Sequence, residues 1–339
     1  MRFSPKTVGL LAAIVTVTIW TSFIVIARAT AHRNLTPLDI CLLRFIGAAL
    51  VLLPWGGWLV WRRARDSGAA LAPPSWLRLS PLSFKLTALI GSLGGVAYAA
   101  LAYSGFYFAP AAHASVLLPG TLPLTTTLMA VLILKDRVTP TRAIGLSLIF
   151  LGDLLVGGAS VLQAWGQSGS QVWKGDLLFL SASTCWAVYS VLVRKHALQA
   201  VQATIAISVF AFFSYVPAYA LLVGSGLLVS QLASAPDAEI AFQMVFQGMG
   251  SVVISGISFT KMVQYFGPVR STMITAVVPG LSALGAVLFL GEPLYWNLLA
   301  GLALVTLGIV FGVRLQARPV PPTAAALPAH DLDCKRAKA

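Results

Sequence analysis

The side chains best placed to do chemistry in this 339-residue chain are polar groups set inside long apolar stretches. Gln243, Gln247, Ser251, Ser255 and Ser258 recur at steps of four, four, four and three. On a helix that spacing gathers them into one polar stripe. Carboxamides and hydroxyls so arranged hold a ligand by hydrogen bonds. They also suit a seam between closely packed helices. Two glutamines in dry packing or against lipid would leave several polar atoms without partners, which favours a cavity. Trp20 and Trp186 each lie near the middle of an apolar run, among Thr16, Thr18, Thr21 and Ser22 in one case and Ser183, Thr184, Tyr189 and Ser190 in the other. Such indoles either wall a pocket, stacking on a flat or cationic ligand, or pack in a core with the N–H bonded to a hydroxyl. Tyr98 and Tyr103 are further aromatic candidates. Arg44 is the only basic residue clearly inside an apolar run, and Asp153 the only acid comparably deep. A buried charge needs a partner, so Arg44 either pairs with Asp153 or captures the carboxylate of a ligand.

None of these residues forms a nucleophile–base set. HExxH, GxSxG and P-loop patterns are missing, and there are four histidines. Cys41, Cys185 and Cys334 show no metal-site or disulfide spacing and read as free thiols. No catalytic residue, cofactor or metal is expected, and the chain does not read as an enzyme. A signalling or scaffold protein would need a substantial soluble domain or long loops. An intramembrane enzyme of unfamiliar type stays open as the alternative.

The elements that must position these residues are membrane helices. The chain is 58% hydrophobic and only 10% charged, with a mean hydropathy of +0.86, which a water-facing surface does not tolerate. The formal charge of +13 sits in short clusters between apolar runs. That is loop charge rather than a nucleic-acid surface. Apolar runs predict helices near 8–27, 38–60, 86–107, 112–134 and 142–160, then 176–193, 203–224, 240–260, 270–290 and 294–313. The first run lacks an obvious small-residue cleavage site and is expected to remain as a helix. With both termini on one side, nineteen Lys and Arg fall in loops and flanks on that side, against Arg28, Arg33 and Lys174 on the other. This bias predicts cytoplasmic termini in a multi-pass protein of the cytoplasmic (inner) membrane. Trp55, Trp58, Trp61, Trp173, Tyr295 and Trp296 cluster near the ends of the runs, where amphipathic rings prefer to sit.

The two halves repeat one another. Pro123, Asp136, Gly145 and Gly152 match Pro279, Glu292, Gly301 and Gly308 at a constant spacing of 156. Gly9, Thr18, Trp20 and Arg28 match Gly175, Thr184, Trp186 and Arg194 at 166. The fold class expected is therefore an all-α integral membrane protein of ten transmembrane helices in two five-helix repeats, residues 1–160 and 174–315, followed by a disordered cytoplasmic tail, 316–339. An odd number of spans per half makes the repeats inverted, an arrangement that places ligand sites at the midplane between them. At 156 before the polar stripe stand Thr87, Gly91, Gly95, Ala99 and Ala102. This small-residue face either borders the same cavity or, with Gly91 and Gly95 as a GxxxG pair, packs tightly on a neighbour.

Trp20, Arg28, Pro37 and Arg44, followed by the duplicated element of a Pro with an acid thirteen positions on, then glycines, resemble the EamA-type drug/metabolite transporters of the DMT superfamily, over nearly the whole chain. Lys135–Asp136 stands where that family more often shows Gly-Glu, as at Gly291–Glu292. The resemblance implies a ten-helix secondary carrier, commonly an exporter of amino acids, other metabolites or toxic compounds, with the fifth helix of each half outside the central cavity. Partners implied are a small-molecule substrate and the lipid bilayer, and no nucleic acid; a coupling proton and a homodimer stay open. The substrate-binding set expected is Trp20, Arg44, Tyr98, Tyr103, Trp186, Tyr189, Gln243, Gln247 and Ser251.

Three further features carry expectations. Asp136 and Glu292 sit where an acid could cap the first N–H groups of the following helix. His113 can titrate at the outer start of its span. Pro119 and Pro123 should bend the fourth helix, with Thr121, Thr125, Thr126 and Thr127 bonding the freed carbonyls.

Overall fold

The computed structural model describes residues 5–31, 33–67, 75–166, 171–293 and 295–314. The expected tail, 316–339, and Cys334 lie outside them. Among the described residues the chain is helical throughout, with one isolated bridge, between Trp76 and Ser80. We number its long helical segments α1 (Pro5–Thr30), α2 (Pro37–Ser67), α3 (Phe84–Phe108), α4 (Ala111–Leu134), α5 (Pro140–Gly166), α6 (Val172–Lys195), α7 (Ala200–Gly224), α8 (Asp237–Phe266), α9 (Pro268–Leu290) and α10 (Trp296–Arg314). Eight are long and apolar enough to cross a membrane; α5 spans 27 residues and α10 carries a shorter apolar stretch, Trp296–Ile309. The outer surface is apolar, with Leu221 73%, Phe289 78% and Leu288 67% exposed. Water would penalise such a surface and lipid accepts it.

Helix contacts exchange when the halves are swapped. The first helix of each half packs on the third and fourth helices of the other: α1 on α8 and α9, α6 on α3 and α4. The second helices, α2 and α7, pack on one another, as do the fifth helices, α5 and α10. The α5–α10 seam shows why glycine recurs there. A Cβ on Gly152 would lie 2.6 Å from the Gly301 carbonyl oxygen, and one on Gly308 would lie 2.4 Å from that of Gly145. Each backbone leaves no room for a side chain on the other.

Local irregularities also recur. Helix α3 opens into a π-helical stretch at Ser92–Ala97, and α8 into a longer one at Met244–Ile254. Helix α4 does so at Val116–Gly120 around Pro119. Its freed carbonyls are bonded from below: Thr121 to Leu117, Thr125 to Thr121 and Thr127 to Pro123. Thr126 departs from the expectation, its buried hydroxyl having no partner. Helices α4 and α9 end alike. Lys135 and Gly291 take φ of 60° and 66°, while Asp136 and Glu292 donate their amides to Ala130 and Ala286 at 3.3 Å. The turn thus places an acid at the same point in each half, even though Lys135 must adopt a left-handed conformation that glycine tolerates better.

Candidate functional site

Two adjoining cavities lie at the centre, between the halves. The first is lined by Trp20 and Phe23 of α1, Tyr98 of α3, Pro119 of α4, and Ser183 and Trp186 of α6, with Ile24, Leu118 and Leu122 completing the wall. The second lies among α2, α3, α6, α7 and α8 and includes Arg44, Gly95, Tyr189, Ser208 and Ser251. Trp186 borders both.

The aromatic wall is continuous. Trp20 meets Trp186 edge-on at 5.7 Å between ring centroids and stacks on Phe259 at 5.0 Å; Tyr98 lies 4.8 Å from Trp186. The Trp20 indole donates to the Ser255 hydroxyl at 2.9 Å, whereas the buried Trp186 Nε1–H has no acceptor. Phe259 and Phe23 were not in the expected set, although Phe259 lies one turn beyond Ser255 and Phe23 three residues beyond Trp20, both at helical spacing from named candidates.

Arg44 is 5% exposed. Its guanidinium donates to Ser251 Oγ at 3.0 Å and to the Tyr103 hydroxyl at 3.4 Å, and lies 5.8 Å from the centre of the Phe23 ring. The ion pair with Asp153 is not made. Asp153 is buried behind α4, beside Thr121, with neither carboxylate oxygen in a hydrogen bond. Equal depth in the bilayer did not bring the two together because α5 packs on α10 at the far side of the bundle from α2. Tyr189 is held by a 2.8 Å hydrogen bond between its hydroxyl and that of Thr260.

The glutamines depart from the expectation of a cavity wall. Gln243 and Gln247 are fully buried, yet line neither cavity, and both polar atoms of each amide lack a partner. The π-helical turn accounts for part of this. Its wider i→i+5 ring changes the angular step, so a stripe drawn on a regular helix does not hold one direction. Helix α8 is also pressed on α2, where a Cβ on Gly248 would meet the Gly47 backbone at 2.6 Å. On α3, Gly91 packs on Phe210 and Gly95 on Ile207 of α7 while Gly95 also lines the second cavity, so this face serves both purposes.

Among the described residues, Asp136 and Glu292 reach across to the other half rather than to the helices that follow them. Glu292 pairs with Arg28 at 3.0 Å and accepts hydrogen bonds from the Ala111 and Ala112 amides, at the start of α4. Asp136 pairs with Arg194 at 2.6 Å. Arg28 and Arg194 are repeat mates, as are the two acids, and each pair joins one half to the other. The first closes over the ends of α1 and α9, the second over the ends of α6 and α4. His113 is not isolated, since its Nδ1 lies 2.9 Å from Asp176 Oδ1.

Residues 7–158 and 173–314 each match the model of the EamA-like transporter family. The chain belongs to that family. This EamA-like membrane transporter is 25% identical over 241 residues to "Uncharacterized transporter YyaM" of Bacillus subtilis (strain 168), covering 70% of the present chain and 74% of the relative. A solved crystal structure superposes with a TM-score of 0.57 at 19% identity, over 93% of this chain and 100% of the other, which establishes the shared fold. Membership makes the duplicated halves a family feature and the bilayer the solvent of the exposed apolar surface.

Proposed function

We propose that this transporter is a secondary carrier that exports a small metabolite or xenobiotic across the cytoplasmic membrane by alternating access. The observation that carries the reading is a pair of central cavities bordered by both halves, with a matched Arg–acid pair joining the halves beyond each end of the site. Alternating access requires one closure on each side of a fixed site, and inverted repeats supply two equivalent closures from one design. Trp20, Tyr98 and Trp186 form the contact wall, and Arg44, Tyr189 and Ser251 the polar floor. Tyr103 positions Arg44. Gln243 and Gln247 act from behind the cavity, as groups that find partners in another conformation of α8. The excess of Lys and Arg on the side of the termini supports cytoplasmic ends. Export rather than import follows the habit of the transporters this sequence resembles.

The test compares the medium around cells producing the wild-type protein with that around cells producing Trp186→Leu at equal membrane levels. A compound enriched outside only with wild type is expected. Identical media, or faster depletion of a compound by wild type, would overturn export.

A further inference from the structure

Among the described residues, the positive charge at the central site has no counter-ion. Arg44 is buried, its hydrogen-bond partners, Ser251 and Tyr103, are neutral, and no Asp or Glu lines either cavity. The buried acids nearest in sequence are otherwise engaged or elsewhere. Asp39 accepts hydrogen bonds from the Thr36 and Gln231 amides and from the Ser230 and Tyr219 hydroxyls, and Asp153 lies beside Thr121 of α4. Desolvating a guanidinium is costly unless an anion or several good acceptors replace the water it loses. Two hydroxyls replace little of it.

The other unmatched groups include a second donor. Trp186 borders both cavities, and its buried Nε1–H has no acceptor. Comparison of the repeats shows why: Trp20 donates to Ser255, and the position 156 residues before Ser255 is Ala99. An acceptor was available to one indole and withheld from the other. The hydroxyls of Ser183, in the first cavity, and Ser208, in the second, are likewise unbonded. A fixed cation bonded only to neutral hydroxyls and an indole donor without an acceptor, next to a cavity walled by aromatic rings, specify what fits. It should be negative at one end and flat and apolar at the other. A cationic ring compound, which the aromatic wall alone would accept, is repelled by Arg44.

Resting on the transport reading above, we propose that the cargo is a small organic anion whose carboxylate pairs with Arg44 while its flat apolar body lies against Trp20, Trp186 and Tyr98. The guanidinium fork holds a carboxylate through two parallel N–H donors, a geometry that lysine does not reproduce.

The test is calorimetric binding to the full chain in detergent, with three probes that share one ring system and differ in charge: indole-3-acetate, indole-3-acetamide and tryptamine. The carboxylate should bind roughly ten- to hundredfold more tightly than the amide, the range expected for hydrogen bonds to a charged group, and tryptamine weakest. Arg44→Gln should abolish the difference between carboxylate and amide while leaving amide binding in place, which also shows that the variant is folded. Arg44→Lys should keep the preference at reduced affinity. Tighter binding of tryptamine or of the amide would overturn the anion assignment and leave transport standing. So would a preference that survives Arg44→Gln, or no binding of any probe by a protein that melts cooperatively. Carboxylate binding as expected, with no movement of that probe in counterflow by the same protein in liposomes, would instead count against the transport reading and keep the site.

Discussion

Gln243 and Gln247 present four polar atoms to an interior that offers them nothing. Each unsatisfied buried group costs ~1–3 kcal/mol. Replacing Gln247 by Leu, of similar volume, should therefore raise the melting temperature of the detergent-solubilised protein and, on the role proposed for the amide, slow transport. A lower melting temperature, or transport at the wild-type rate, would remove Gln247 from any such role. Several residues of the candidate site are legible at this scale. Trp20 and Trp186 announced themselves by repeating at 166 residues in mid-span, and Arg44 by being the one cation there. What Arg44 touches was not legible. Its contacts with Ser251 and Tyr103 join residues 207 and 59 positions apart, and depth alone, the only guide available from sequence, pointed to Asp153 instead. The direction of the glutamines is not legible from a step of four residues, because the run Met244–Ile254 departs from regular helical geometry and nothing in it signals the wider turn.

Among the elements, the two Arg–acid pairs make the clearest demand. Arg28–Glu292 bridges α1 to the end of α9, and Arg194–Asp136 bridges α6 to the end of α4. If they close opposite sides, then weakening either should bias the carrier toward opening on that side. In a cysteine-free background carrying Ser183→Cys in the first cavity, Glu292→Gln should increase labelling by an impermeant thiol reagent applied outside. Asp136→Asn should increase labelling from the cytoplasmic side. Equal labelling of both variants from both sides would show that the pairs merely brace the fold. All four charged residues are visible as repeat mates in the sequence, where they stand simply as arginines at span ends and acids at turns. The pairing escaped because the two spacings, 156 and 166, fix position within a half and say nothing about which ends meet across halves. The π-helical stretches of α3, α4 and α8 were equally hidden; they widen the helices beside the cavities, where such irregularities are commonly found at functional sites.

For the whole molecule, the distribution of charge and of aromatic rings supports the proposed orientation, with cytoplasmic termini. Trp58 and Trp61, 48% and 57% exposed, sit under Arg62 and Arg65, whose guanidinium carbons lie 5.4 and 5.6 Å from the ring centres. This arrangement places a cationic, aromatic collar at the end of α2. A green fluorescent protein fused after residue 339 should therefore fluoresce, and alkaline phosphatase fused at the same point should be inactive; the reverse result would invert the topology and with it the assignment of inner and outer pairs. The all-helical class and the duplicated halves were readable because hydropathy and the spacing of Pro, Gly and acid survive without any contact information.

The α5–α10 seam holds a further meaning. Gly152 meets Gly301 and Val305, and Gly308 meets Gly145 and Ile149, so the two sides are the same surface presented twice. A self-complementary patch of this kind is what closes a two-fold dimer. Two separate copies of one five-helix chain, inserted in opposite directions, would already possess this contact. Fusing them costs nothing at the seam and frees each copy to diverge elsewhere. In such a dimer the two tryptophans would be equivalent, whereas here Ser255 gives Trp20 a partner and Ala99, at the matching position, gives Trp186 none.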